Sequence, residues 1–115
     1  MSRTRTSALI CAVSAWIDAA PGNKDRDPEA LLWGRVTKVG EESGEVIAAL
    51  VGATGQNPRK GNSHTLQDVE RELLDTAMTA LAAVAHLHTR DAEPPDVLDL
   101  LDDHVLAVAR RAQLS

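Results

Sequence analysis

A chain of 115 residues with no Phe and no Tyr must build its interior from aliphatic and small side chains and two Trp. The β-branched and aromatic runs that mark strands are missing. Small side chains let helices approach closely, and Ala is the best helix former. The expectation is an all-α fold, one domain over residues 1–115. A chain of this size leaves much of its surface in water, so a partner subunit would help complete the core.

The net charge of −5 argues against nucleic acid as a partner, which needs a basic footprint, and against an anionic membrane surface. The single cysteine, Cys11, cannot form an intrachain disulfide. It lies in an apolar stretch and is expected to be a small core residue in a reducing, cytoplasmic setting. Residues 8–17 follow Arg3 and Arg5 much as in a signal peptide, but the stretch is short and Asp18 interrupts it. No segment approaches the roughly 18 apolar residues that span a bilayer.

Hydrophobic periodicity predicts four helices. The first runs from about Thr4 to about Ala19, with Leu9, Val13, Trp16 and Ile17 on one apolar face and Pro21-Gly22 as its stop. The second opens at Asp27-Pro28-Glu29, an N-cap, a first-turn proline and an acid suited to the dipole, and continues to about Val51. Its apolar positions include Leu32, Val36, Val39, Val46, Ile47 and Leu50. Gly34, Gly40 and Gly44 inside it suggest close approach of a backbone or ligand, or a bend. A glycine-rich, basic loop follows. Thr65 and Asp68 form a capping box for the third helix, which reaches about Thr89, with Leu66, Val69, Leu73, Ala77, Leu81 and Val84 as its apolar stripe. The fourth spans about Asp96 to Ala112, with Val97, Leu100, Leu101, Val105 and Val108 expected inward.

The second and third helices carry paired carboxylates. Residues three apart on a helix share a face, so Glu42 lies beside Glu45 and Glu72 beside Asp75. If the two helices pack antiparallel, the pairs can face one another. Four carboxylates so close would repel unless a cation sat among them, and an all-oxygen set suits Mg²⁺ or Mn²⁺. Equally, Glu-x-x-Glu on a helix often marks a solvated face, and spacing alone leaves both possibilities open.

The run Lys38-Val-Gly-Glu41-Glu42-Ser-Gly-Glu45-Val46, followed by Glu72-Leu-Leu-Asp75, resembles the signature of the MazG-like all-α nucleotide pyrophosphohydrolases. The likeness covers about residues 30–90. Thr76-Ala77-Met78 replaces the bulkier residues usual after the Asp, and helices one and four carry no matching motif. The resemblance implies a four-helix bundle completed by oligomerisation, as a homodimer or homotetramer. It implies Glu42, Glu45, Glu72 and Asp75 as Mg²⁺ ligands. It also implies hydrolysis of a nucleoside triphosphate to monophosphate and pyrophosphate, a nucleotide-pool housecleaning activity. A dUTPase-like specificity is one variant; a non-catalytic helical module that binds nucleotides or a protein is the rival.

Glu41 or Glu45 could serve as general base. Lys38, Arg59 and Lys60 are candidates to hold phosphates. Trp33 could stack on a base, though a tryptophan there also suits a core or an interface; Trp16 is expected in the core. The four histidines are expected to be structural or solvated. No Glu-x-x-His occurs, which argues against a di-iron bundle.

Overall fold

The computed structural model describes residues 1–115 and is all-helical: α1 (Arg3–Ala19), α2 (Pro28–Thr54), α3 (Leu66–Leu87) and α4 (Val97–Arg111). Each helix starts on a side chain that satisfies free amides. Ser2 accepts from the Arg5 amide, Asp27 from Glu29 and Ala30, and Asp96 from Leu98 and Asp99. Thr65 and Asp68 form the expected capping box. α2 runs three residues past its expected end, to a left-handed Gly55 at φ 66° whose N–H donates to the Val51 carbonyl. α3 stops at Leu87, two residues early.

α2 and α3 form the main packed pair. Arg35 donates to the Ala82 carbonyl, Glu45 lies beside Glu72, and the Gly52 carbonyl accepts from the Ser63 amide. Numbers rise on one side as they fall on the other, so the two helices are antiparallel. At Gly52 the end of α2 meets the loop that leads into α3, and a Cβ there would overlap the His64 ring. No other part of the chain approaches Gly34, Gly40 or Gly44, which face open space. Gly40 and Gly44 lie off the stripe of Leu31, Arg35, Lys38, Glu42, Glu45, Ala49 and Gly52, whereas Gly34 lies at its edge, on the cavity beside Lys38 and Glu42.

α1 lies along α3, joined to it and to α2 by a polar cluster. The buried Arg35 guanidinium donates to the Ser14 carbonyl (3.2 Å), the Ser14 hydroxyl (3.0 Å), Asp18 (2.6 Å) and the Ala82 carbonyl (3.1 Å). Asp18 also meets His86 Nδ1 at 2.7 Å. This one arginine ties three helices, and its two terminal nitrogens make four hydrogen bonds, as burial of a charge requires.

Only nine residues are fully buried, among them Ala49, Ala82, Ala83 and Val97. Several expected core positions are therefore corrected. Trp16 is 73% exposed, Leu9 and Val13 are exposed beside it, and Cys11 is exposed too. α1 instead turns Ser7, Ile10 and Ser14 inward, because the Arg35 cluster draws its serine-bearing side to the centre. Val36, Ile47, Leu50, Leu66 and Leu73 are exposed, as are Leu101, Val105 and Val108 of α4. No helix is long and apolar enough to cross a membrane.

Candidate metal centre

Halfway along the α2–α3 seam, Glu42, Glu45 and Glu72 each offer a carboxylate oxygen, and these oxygens all lie within 4.8 Å of one another. Glu42 and Glu72 are half-buried, whereas Glu45 is open to solvent. Glu72 Oε2 is buried and has no hydrogen-bond partner. A carboxylate oxygen so placed carries the full cost of desolvation unless something positive or a proton meets it. Burial, then the charge of Glu45, raises the pKa of both Glu42 and Glu72 above the ordinary carboxylate range. Asp75 is exposed and stands outside the 4.8 Å group, though its charge reaches both Glu42 and Glu72. Asp75 is about 60° around α3 from Glu72, on a side chain that stays exposed.

Lys38 lies one turn before Glu42. Its ammonium donates to Glu41 at 3.0 Å and lies 3.9 Å from Glu42, and the bond to Glu41 raises its pKa. Glu41 is exposed and points away from the three-carboxylate group into this pairing. Arg59 and Lys60 are exposed on the loop between α2 and α3. Glu72 lies six residues into α3, about 9 Å along its axis from the loop end. The structure does not bring these two cations to the carboxylates.

A cavity of about 470 Å³ opens beside Glu42 and Lys38. Val13, Ile17, Leu31, Met78 and Ala82 form aliphatic walls, and Gly34 leaves part of one side open. Asn23 and Arg26, from the α1–α2 loop, line it too. The Asn23 amide donates to the Ile17 carbonyl at 2.9 Å and Arg26 to the Gly22 carbonyl at 2.9 Å, so the loop holds both in place. Trp33 is 66% exposed and does not line this cavity.

Arg35 and Asp18 escaped the sequence analysis, as did Asn23 and Arg26, whereas His86 takes the structural role expected of the histidines. The signal for Arg35 was present: counting back from Glu45 in steps of three and four reaches Glu42, Lys38, Arg35 and Leu31. That stripe is largely polar, so a search for apolar residues passes over it. Asn23 and Arg26 lie in a loop, where no periodicity marks them.

The donor set is all carboxylate, and one buried oxygen lacks a partner; both fit a hard divalent cation. Compared with family models, curated proteins and solved structures, the chain matches none.

Proposed function

We propose that this chain is a Mg²⁺-dependent nucleoside triphosphate pyrophosphohydrolase of the MazG-like all-α type, acting in the cytoplasm as a homodimer or homotetramer. The observation that carries the proposal is the unpartnered, buried Glu72 Oε2 inside a group of three carboxylates from two helices. A merely solvated acidic face would turn such an oxygen to water. Glu42, Glu45 and Glu72 would hold the metal, with Asp75 reachable on the flank; Mn²⁺ would serve as well.

Bound there, a divalent ion supplies neutralisation of phosphate charge and acidification of a water. The remaining work falls to the protein. Glu45, open to solvent, is positioned to take the proton of the attacking water; Glu41, committed to Lys38, is the weaker candidate. The water oxygen bonds to the α phosphorus as the bond from that phosphorus to the bridging oxygen breaks. Pyrophosphate leaves with the electron pair. Lys38 exchanges Glu41 for a phosphate oxygen. The aliphatic cavity beside Glu42 holds the nucleoside and keeps it from water.

The test is a panel of canonical and modified triphosphates with Mg²⁺ or Mn²⁺, scored for pyrophosphate against phosphate. Pyrophosphate release that is lost in Glu72→Gln supports the proposal. No release from any triphosphate, or release that survives Glu72→Gln, refutes it.

A further inference from the structure

The apolar stripe of α4 starts inside the protein and ends outside it. Val97, at the first turn, is 1% exposed. Leu101, Val105, Val108 and Ala112 continue the same stripe within about 80° of arc, at 100° per residue. Yet Leu101 is 40% exposed, Val105 56% and Val108 44%. α4 is held by its first half alone: Ser7 donates to Asp96 at 2.6 Å, and Arg3 bridges Asp99 and Asp102. Beyond Asp102 nothing in the chain covers the stripe. The molecule is correspondingly open. Its radius of gyration is 17.0 Å, against about 13 Å for a compact chain of 115 residues.

We infer that the outer half of α4 pairs antiparallel with α4 of a second copy of this chain, about a two-fold axis passing near Val105. A two-fold contact must be complementary to itself. Antiparallel placement puts Val105 against Val105 and Leu101 against the Val108–Ala112 end of the other copy. Charge selects the same direction. The first half of α4 carries Asp96, Asp99, Asp102 and Asp103, and its last turn carries Arg110 and Arg111. A parallel pair would set acid on acid and base on base. An antiparallel pair sets each basic end against an acidic half and opposes the two helix dipoles. The fading of α4 burial after Leu100 then marks where the chain's own core hands the stripe to its copy. This gives the association proposed above its surface, and it does not depend on the chemistry of the carboxylates.

Light scattering after size exclusion, on the full chain from about 1 to 100 µM, is expected to show a dimer or a multiple of one. Val105→Asp should weaken that association at least tenfold, with helical circular dichroism retained. Glu72→Gln should leave the mass unchanged, so failure of the enzymatic proposal and failure of this one are separable. Direction is read by cross-linking in a Cys11→Ser background. Val105→Cys should form a disulfide dimer on mild oxidation. Leu101→Cys should not, because an antiparallel pair centred on Val105 separates the two copies of position 101 by about 12 Å along the axis, beyond disulfide reach. A monomer at 100 µM, an unchanged mass for Val105→Asp, no cross-link at 105, or equal cross-linking at 101 and 105 would each overturn the inference.

Discussion

Asp18→Asn isolates the charge that holds three helices together. Asp18 is the only carboxylate paired with the buried Arg35, at 2.6 Å, and its other oxygen meets His86 at 2.7 Å. The side chains are 7% and 18% exposed for Arg35 and Asp18, so water replaces the lost charge poorly. Removing one partner of such a pair costs about 3–5 kcal/mol, mostly from leaving the other charge buried alone. The amide keeps the shape and one acceptor, and Arg35 keeps three other bonds, so the cost should fall near 3 kcal/mol. For a chain of this size that lowers Tm by about 10–15 °C. The assay is thermal and urea unfolding followed by circular dichroism, at one fixed protein concentration because association shifts Tm. The double variant Asp18→Leu with Arg35→Met removes both charges and should recover much of the loss. A loss under about 0.5 kcal/mol for Asp18→Asn, or a double variant no better than the single one, would refute the account.

Three further outcomes are expected. Glu42 and Glu72 bind protons more tightly folded than unfolded, so without metal their contribution turns unfavourable as pH rises from the ordinary 4.5 through their raised values. Asp68 and Asp96, whose pKa values are lowered by the Thr65 amide and the Ser7 hydroxyl respectively, act oppositely and lose their contribution as pH falls below 3.8. Metal-free Tm should therefore peak in mild acid, and Glu72→Gln should move the peak upward in pH; identical profiles for the two proteins would contradict this. Gly40→Ala and Gly44→Ala face open space and should each add about 0.5–1 kcal/mol by helix propensity, whereas Gly52→Ala must displace His64 and should lower Tm. Stabilisation by Gly52→Ala would show that His64 yields freely. Lys38→Ala should lower kcat/KM for a triphosphate about tenfold, as expected for one charge-assisted contact, while Arg59→Ala and Lys60→Ala should change it less than about twofold. The reverse ranking would place the phosphates over the loop.

The helices were legible because their ends are written in short local chemistry. Asp27-Pro28 and Thr65 to Asp68 each act within one turn and perform as expected, and Asp96, expected only as the start of α4, caps it in the same way. The facing of Glu42 and Glu45 toward Glu72 was legible for a related reason: helical spacing fixes which residues share a side, and the hairpin loop sets the direction. Asp75 shows the limit of that logic. A residue three positions from Glu72 shares its face only to within about 60°, and that offset leaves Asp75 exposed and outside the three-carboxylate group. Burial was far less legible. Leu9, Val13 and Trp16 form a sound apolar stripe, but Ser7, Ser14 and Arg35 took the inside through hydrogen bonds across 89, 21 and 47 residues of sequence. Periodicity reports that a helix has an apolar side; it does not report whether that side meets its own chain or another.

The interior described here has little volume to lose. Ala49, Gly52, Ala82 and Ala83 occupy the buried seam, with Ser7 and Ser14 beside them. In most cores the damaging substitutions are truncations, since they open voids. Here, Ile10 and Val97 apart, truncation has little to remove, and the damaging direction is enlargement, which forces helices apart. A saturation survey of this protein should therefore find its least tolerant sites at its smallest residues, with Ala82→Leu or Ala83→Leu worse than Leu→Ala at nearly any position. Widening the seam would also spread Glu42 and Glu45 from Glu72, so the same substitutions would loosen the carboxylate group without touching it.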